Sequence, residues 1–280
     1  MQTENILGID MGGTNVRGGI VNESGLSEVI SQRVNANSSL EEVLSDLYRF
    51  IDPFLTHNIK AIGIGVPGLI SCGNVYDVIN IPAWKEIPLQ AMLEDHYQLP
   101  VAVNNDANCF ALGEFYFGKG KNVDSMIGLT IGTGLGSGII IHKKLYTGHN
   151  GGAGEFGMME YRDQCYEYYA SGQFFKNVYG IKGEVVFANA KQGNKDALKM
   201  YEQMGMHLGN AIKAIMYATD VALIVLGGSV RHAFPYFSKS MWQQIETFAY
   251  KRSLTNLKIE VSALENSGIL GAAALHYDAI

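Results

Sequence analysis

Two glycine-rich segments contain the residue types that bind phosphate groups. The first is Asp10–Asn15 (DMGGTN), and the second is Gly132–Gly138 (GTGLGSG), in which four of seven residues are glycine. Glycine permits tight turns, and the backbone N–H groups of such turns can face phosphate oxygens. Thr14 adds a hydroxyl donor, and Asp10 could hold Mg²⁺ through water, because Mg²⁺ keeps much of its hydration shell. A plain hairpin turn explains the first segment equally well, but the second has more glycines than a turn requires.

Carboxylates at two places could act on a hydroxylated substrate. Asn105 and Asp106 follow the apolar run Val101–Val103, and ligand sites in α/β sheets lie beyond the carboxyl ends of strands. Asp106 could accept the proton of a hydroxyl that attacks the γ-phosphate of a nucleotide. Considered alone, the pair more readily indicates a helix cap at Asp106, because Asp is a preferred N-cap. Glu155 and Glu167 could bind neighbouring hydroxyl groups of a sugar, or they could be solvated surface acids.

The elements that would position these groups occur as a repeat. A strand, a glycine turn and a returning strand are predicted over residues 6–21 and again, about 120 residues later, over residues 126–142. Apolar periodicity predicts helices at 39–55, 88–98, 107–117, 196–218 and 268–275, and further strands at 61–66, 101–103, 221–226 and 259–261. Repeated architecture predicts two similar α/β lobes with a ligand cleft between them. No linker rich in proline or serine separates the lobes, so a hinge is expected.

Composition excludes several classes of protein. The chain has 280 residues, 17% of them charged, and a formal net charge of −6, which argues against a nucleic-acid partner. No apolar run is long enough to span a membrane. Glu4 lies where a signal peptide would be apolar, so a cytoplasmic location is expected. Cys72, Cys109 and Cys165 are too far apart to imply a disulfide framework and are expected to be small buried thiols.

These pieces, in this order and spacing, resemble the ROK family of sugar kinases and repressors, within the actin-like ATPase superfamily. The matching segments are Asp10–Thr14, Val66–Gly68, Asn80–Trp84, Asn105-Asp106, Leu129–Gly138 with Gly154-Glu155, Gly227-Gly228 and Gly268–Ala273. The resemblance covers nearly the whole chain. It implies an α/β fold of two actin-like (ribonuclease H-like) lobes, with residues 1–106 and 265–280 in a small N-terminal lobe and 107–264 in a larger C-terminal lobe.

The resemblance also implies an activity, the transfer of the γ-phosphate of ATP to a hexose hydroxyl, the 6-OH being expected. Asp106 would be the catalytic base. The sugar would be bound by Gly68, Asn80, Asn105, Asp106, Glu155 and Glu167. The ATP phosphates would be held by Asp10, Gly12, Gly13, Thr14, Asn15, Gly132, Thr133, Gly134, Gly136 and Gly138, with Gly227 and Gly228 against the adenosine. Mg²⁺ would lie near Asp10 through water, glucose is the first expected sugar among several hexoses, and a homodimer is expected.

One segment departs from the family pattern. Many members have a histidine three residues after the position of Glu155, followed by several cysteines that together bind zinc. This chain has Met158 there, a short segment at 161–165, and Cys165 as the remaining cysteine. A single cysteine cannot make the closed tetrahedral site of structural zinc, so we expect no zinc. Because that histidine also contacts the sugar in zinc-binding members, the departure leaves the identity of the sugar open.

Three alternatives to a sugar kinase follow from the same residues. A repressor of the family would carry an N-terminal DNA-binding segment, but the strand that leads into the first glycine-rich segment begins by Ile6. A catalytically silent sugar or nucleotide sensor would not need Asp106 and both glycine segments. A kinase could also act on an acceptor other than a sugar. The set Asn105, Asp106, Glu155 and Glu167 favours an acceptor with several hydroxyl groups, because each hydroxyl requires a polar partner when it is desolvated.

Overall fold

The computed structural model describes residues 4–12, 14–35, 38–76, 78, 81 and 84–278. Two residues predicted to bind ligands, Gly13 and Asn80, lie outside the described residues. The chain divides into two compact units, one of residues 1–121, 138–153 and 264–280, and one of residues 122–137 and 154–263. The lobe boundary expected at residue 106 stays a prediction.

The described residues form fifteen strands and ten α-helices. The strands are β1 (Asn5–Met11), β2 (Asn15–Asn22), β3 (Gly25–Arg33), β4 (Ile59–Val66), β5 (Leu69–Ser71), β6 (Asn74–Tyr76), β7 (Glu86–Ile87), β8 (Val101–Asn105), β9 (Met126–Ile131), β10 (Leu135–Ile141), β11 (Lys144–Tyr146), β12 (Glu160–Tyr161), β13 (Gln164–Cys165), β14 (Leu223–Gly227) and β15 (Lys258–Val261). The helices are α1 (Leu40–Ile51), α2 (Leu89–Tyr97), α3 (Asp106–Phe117), α4 (Tyr166–Ala170), α5 (Phe174–Tyr179), α6 (Gly183–Lys191), α7 (Lys195–Thr219), α8 (Phe234–Ile245), α9 (Lys251–Asn256) and α10 (Ser267–Asp278).

The first unit contains a five-stranded sheet of order β3-β2-β1-β4-β8. Strands β1, β4 and β8 run parallel, with Asp10 opposite Gly65 and Val66 opposite Asn105. Parallel strands have their carboxyl ends at the same edge of a sheet. Asp10, the turn after β4 and the Asn105-Asp106 pair therefore lie at one edge of this sheet, where ligands of α/β proteins bind.

Glycines allow the helix that begins at Asp106 to pack closely in the first unit. A Cβ atom at Gly113 of α3 would lie 2.3 Å from the carbonyl oxygen of Ser267, and one at Gly271 of α10 would lie 1.6 Å from that of Cys109. A Cβ atom at Gly63 of β4 would likewise lie 1.9 Å from the carbonyl oxygen of Ala272. Helix α10 therefore contacts both α3 and the sheet backbone directly, which fixes the start of α3 relative to β8.

The second unit contains the parallel strands β9, β14 and β15, with Leu226 opposite Leu129 and Val261. In full, the second five-stranded sheet has the order β11-β10-β9-β14-β15. The long helix α7 packs against α8 through Gly205 and Gly209. A Cβ atom at either position would lie 2.4 Å from a carbonyl oxygen of α8, that of Phe237 or of Met241. Among the described residues, no helix combines the length and apolarity that crossing a membrane requires.

Three local expectations differ from the structure. The helix predicted at 39–55 ends at Ile51 and continues as a 3₁₀ turn over Asp52–His57, since Pro53 lacks the N–H group of an α-helical bond. Pro88 is the N-cap of α2 instead of its first helical residue. Cys109 is buried as expected, but Cys72 is exposed, because it occupies a left-handed turn (φ 48°) between β5 and β6.

Candidate active site

The start of α3 presents Asp106 while its neighbour caps the helix. The side-chain Oδ1 of Asn105 accepts hydrogen bonds from the backbone N–H of Ala107 at 2.8 Å and of Asn108 at 3.4 Å. The Nδ2 of Asn105 donates to the carbonyl oxygen of Gly68 at 2.9 Å. The expectation from the isolated motif that Asp106 caps this helix is therefore wrong, since Asn105 does so. Asp106 is exposed at the first helical position, where the helix dipole favours a negative charge.

Two further asparagines, Asn104 and Asn108, which sequence reasoning missed, connect the end of β8 to the first turn of α3. Asn104 Oδ1 accepts from the backbone N–H of Asn105 and from Nδ2 of the buried Asn108, both at 2.8 Å. Their spacing gave no signal, because Asn104 lies in β8 and only Asn108 lies in α3. These bonds tie the end of the strand to the first turn of the helix, on either side of Asp106.

Asp10 lies at the same sheet edge, half-buried. Burial raises the pKa of its carboxyl group, and the charge of Arg17, opposite on β2, partly opposes that rise. Gly268 provides room for the carboxylate, because a Cβ atom there would lie 2.8 Å from Asp10 Cγ. The following turn is closed by a 2.9 Å bond from Gly12 N–H to the carbonyl oxygen of Asn15. A single carboxylate at the start of a glycine turn fits a Mg²⁺ ion that is bound to a nucleotide and keeps most of its water.

The glycine-rich loop of the second unit is fixed by neighbours in residues 167–172. Leu135 N–H donates to Glu167 Oε2 at 2.9 Å, and Ser171 Oγ donates to the carbonyl oxygen of Thr133 at 2.9 Å. Gly172 N–H donates to the carbonyl oxygen of Gly132 at 2.8 Å. Within the loop, Gly132 N–H bonds to the carbonyl oxygen of Gly134 at 3.0 Å.

Two glycines at the end of the segment, Gly136 and Gly138, have contacts of other kinds. The carbonyl oxygen of Gly136 accepts from Thr130 Oγ1 at 3.2 Å. Gly138 packs against α3 in the first unit, where a Cβ atom would lie 2.6 Å from that of Ala111. The absence of a side chain at Gly138 is thus needed for helix packing.

A cavity of about 530 Å³ opens beside the start of this loop, within the second unit. Its wall includes Gly132 and Thr133, the segment after β14, and three aromatic rings, and it is lined in full by Gly132, Thr133, Gly172, Gln173, Phe175, Lys176, Lys182, Gly183, Glu184, Phe187, Tyr201, Ser229, Val230 and Ala233. Gly228 (φ 75°) lets the chain turn there, because a Cβ atom would lie 2.3 Å from the carbonyl oxygen of Ile131. A partly aromatic cavity of this volume is of the size that holds small ligands. Residues 172–187 and Tyr201 carry no motif that predicted this role.

Glu155 and Glu167 both border the first residues of β10. Gly154 (φ 95°) is held by a hydrogen bond from Ser137 Oγ to its carbonyl oxygen, and Glu167 accepts from Leu135 as described. Desolvation raises the pKa of the Glu155 carboxyl group, and the negative charge of Glu167 raises it further. Two neighbouring carboxylates can accept hydrogen bonds from neighbouring hydroxyl groups of one ligand.

An aromatic cluster supports α4, the short helix that carries Glu167. The ring of Tyr161 stacks on Tyr166 at 4.5 Å, and Tyr161 OH lies 3.2 Å from Nδ1 of His207. Tyr169 OH donates to Asp163 in the turn between β12 and β13. His207 is buried, and burial together with the charge of Arg162 lowers its pKa to about 4. The neutral imidazole therefore remains packed among the tyrosines.

The residues present at 158–165 do not fit zinc. Met158 is exposed and supplies no histidine ligand, and Cys165 has no second cysteine in this segment. Across the described ranges, no three side chains of the types His, Cys, Asp and Glu are grouped so that they could hold a metal ion. The absence of zinc from the protein stays a prediction.

The structure gathers the predicted site residues within each unit. Asp10, Gly12, Gly68, Asn105 and Asp106 lie at the carboxyl ends of β1, β4 and β8 in the first unit. Glu155 and Glu167 lie beside the glycine-rich loop of the second unit, and Gly228, directly after β14, packs against Ile131, the last residue of β9. Thr14 and Asn15 follow Gly12, while Gly227 ends β14.

Comparison with known proteins places the chain in a family. The model of the ROK family matches residues 6–279. A glucokinase of Streptomyces coelicolor is 30% identical over 80% of this chain and 81% of its own length. A xylose repressor of Caldicellulosiruptor bescii is 28% identical over 96% of this chain and 77% of its own length.

A solved structure supports the same assignment. The ROK family glucokinase of Streptomyces griseus, in complex with glucose and AMPPNP, is 26% identical and superposes with a TM-score of 0.82 over 97% of this chain and 98% of that one. The prediction of an α/β fold with two actin-like lobes is confirmed by such neighbours. The family match over nearly the whole length, the shared fold and the order of the motifs show that this chain belongs to the ROK family.

Proposed function

We propose that this protein is an ATP-dependent sugar kinase that transfers the γ-phosphate of ATP to a hexose hydroxyl, the 6-OH being expected. The observation that carries the proposal is the arrangement of Asn105 and Asp106 at the start of α3. Asn105 is the N-cap, and the carboxylate of Asp106, whose Oδ1 also accepts from Ala107 N–H at 2.9 Å, is exposed at a sheet edge that also contains Asp10. A carboxylate so placed can accept the proton of the attacking hydroxyl.

In this proposal, each set of residues has one task. Asp106 accepts the proton of the sugar hydroxyl as its oxygen attacks the γ-phosphorus, and the bond from that phosphorus to the leaving oxygen of ADP breaks. Asn105, Glu155 and Glu167 bind the other sugar hydroxyls, with Gly68 and Asn80 lining the pocket. The ATP phosphates lie along the two glycine-rich turns, and the nucleoside occupies the cavity beside Gly132. Asp10 would hold, through water, a Mg²⁺ ion bound to ATP, and that ion would supply neutralisation of the phosphate charge.

The cavity supports the nucleotide part of the proposal. Its lining brings together Gly132-Thr133, directly after β9, and Ser229-Val230, which follow β14 after Gly228 and lie about one hundred residues further along the chain. The family resemblance implies that Gly132 and Thr133 bind the ATP phosphates and that Gly227 and Gly228, just before Ser229, lie against the adenosine. The size of the cavity and its aromatic rings suit a purine nucleoside.

Glucose is the first substrate to test, because the similar proteins from S. coelicolor and S. griseus are glucokinases. Other hexoses stay candidates, since Met158 stands where many members have a sugar-contacting histidine. A homodimer and a cytoplasmic location are proposed with the activity.

A catalytically silent sugar or nucleotide sensor is the second candidate, favoured by the similarity to the xylose repressor. The two candidates differ in turnover. The test is ADP release from ATP and Mg²⁺ with a panel of hexoses, beside Asp106→Asn. Sugar-dependent turnover that falls by about 10²- to 10⁴-fold in the variant is expected, since a positioned base contributes that much. Binding of sugar or ATP without turnover by the parent protein would refute the kinase and favour the sensor.

A further inference from the structure

Three consecutive contacts connect residues 167–172 to the glycine-rich loop, and we call this segment the loop clamp. Its members that bond to the loop are Glu167, Ser171 and Gly172, which contact Leu135, Thr133 and Gly132, in that order. The three bonds measure 2.8 to 2.9 Å. Because the clamp and the loop run in opposite chain directions, the clamp lies along the loop backbone.

Ser171 has no exposure to solvent, and its hydroxyl has two partners. It donates to the carbonyl oxygen of Thr133 and accepts from Gln173 N–H at 3.2 Å. A buried hydroxyl with both roles filled fixes the direction of the carbonyl it serves. Because a peptide unit is planar, the direction of the Thr133 carbonyl also fixes that of the next N–H group, which belongs to Gly134.

Gly172 is required for the same approach. A Cβ atom there would lie 2.5 Å from the carbonyl oxygen of Gly132, a distance that would force the two backbones apart. Gly132 and Thr133 also line the cavity. The clamp therefore determines the shape of the loop where the cavity begins.

We propose that the loop clamp holds the glycine-rich loop in its nucleotide-binding conformation, with Ser171 as a positioning residue. The proposal rests on the proposed function, in which this loop binds the phosphates of ATP. Glu167 joins the two substrates, since one carboxylate oxygen holds the loop and the other can accept from a sugar hydroxyl. Ser171 and Gly172 act on the nucleotide alone.

The test compares Ser171→Ala with Ser240→Ala. Ser240 is also buried and donates to a backbone carbonyl, that of Phe237 at 3.0 Å, on α8 of the same unit. Each substitution removes one buried hydroxyl without changing charge. The readouts are the dissociation constant of Mg·ADP by calorimetry, the KM values for ATP and sugar, and the melting temperature.

Ser171→Ala is expected to weaken Mg·ADP binding and raise the KM for ATP by about three- to tenfold, the range expected for one lost hydrogen bond. Its KM for the sugar should stay within about twofold of the parent value. Ser240→Ala should leave both constants within about twofold while lowering the melting temperature. Gly172→Ala should weaken Mg·ADP as well, and it replaces Ser171→Ala if that variant does not fold.

The outcomes separate the clamp from the activity. Unchanged Mg·ADP affinity in folded Ser171→Ala and Gly172→Ala would overturn the clamp and leave the kinase intact. An equal loss in Ser240→Ala would show that the effect is general destabilisation, and would also overturn the clamp. A parent protein that binds no nucleotide would refute both proposals.

Discussion

Gly134→Ala tests whether the carboxylate of Glu167 must touch the glycine-rich loop. A Cβ atom at position 134 would lie 2.5 Å from Glu167 Oε2 and 3.2 Å from its carboxyl carbon. Neither Gly134 nor Gly132 has a left-handed backbone, so alanine is allowed conformationally and the clash is the perturbation. The carboxylate must move, and its bond to Leu135 N–H is lost.

The size of the effect follows from the hydrogen bond to a sugar hydroxyl that the displaced Glu167 carboxylate can no longer make. Hydrogen bonds to charged groups contribute about 1.5–3 kcal/mol, and the lower value applies because the displaced carboxylate can bind water instead. A loss of about 1.5 kcal/mol corresponds to about tenfold in a dissociation constant. We therefore expect Gly134→Ala to bind glucose about tenfold more weakly than the parent protein.

The assay is calorimetric titration of glucose into nucleotide-free protein, and Gly132→Ala is the matched control. A Cβ atom at Gly132 meets no atom within 4 Å, so the same substitution two residues earlier displaces nothing. Sugar affinity of Gly132→Ala should equal that of the parent. Equal weakening in both variants, or none in Gly134→Ala, would show that the contact between Glu167 and the loop does not determine sugar affinity.

Two further predictions concern pH. The folded pKa of His207 is about 4, below the unfolded value of about 6.5, so its contribution to stability is complete above pH 6.5 and is lost as the pH falls toward 4. The shift should lower the free energy of unfolding by about 1 kcal/mol at pH 5 after allowance for solvent screening. In thermal melts, His207→Gln should lose less stability on acidification than the parent protein, and exposed His149→Gln should lose as much as the parent. If His207→Gln has the same pH dependence as the parent, the loss does not come from His207. The raised pKa of Glu155 means that it takes up a proton at higher pH than an ordinary glutamate, so the sugar KM should begin to rise at a pH above about 4.3 on acidification, and Glu155→Gln should lack that rise.

Regular periodicity made the long elements predictable. The apolar positions of residues 196–218 predicted α7, which spans Lys195–Thr219. The capping box at the start of α1 is present, with Ser39 Oγ accepting from Glu42 N–H and Glu42 accepting from Ser39 N–H. Local patterns such as these depend on neighbouring residues and survive folding unchanged.

Contacts between distant segments were not readable from the sequence. Ser171 and Gly172 belong to a short segment without periodicity, and their importance comes from bonds to a loop almost forty residues earlier. The choice of Asn105 over Asp106 as the helix cap depends on the backbone angle at the end of β8. Both residue types are good caps, so composition could not decide between them.

Phosphorus NMR of the reaction mixture shows directly whether the γ-phosphate of ATP is transferred to the sugar and whether the transfer depends on Asp106. Parent protein with ATP, Mg²⁺ and glucose should convert the γ-phosphate signal into that of a sugar phosphate monoester, split by the methylene protons if the 6-OH is the acceptor. Asp106→Asn at the same concentration should give that signal at least about a hundredfold more slowly. Release of inorganic phosphate alone, or formation of sugar phosphate at the parent rate by Asp106→Asn, would contradict the account.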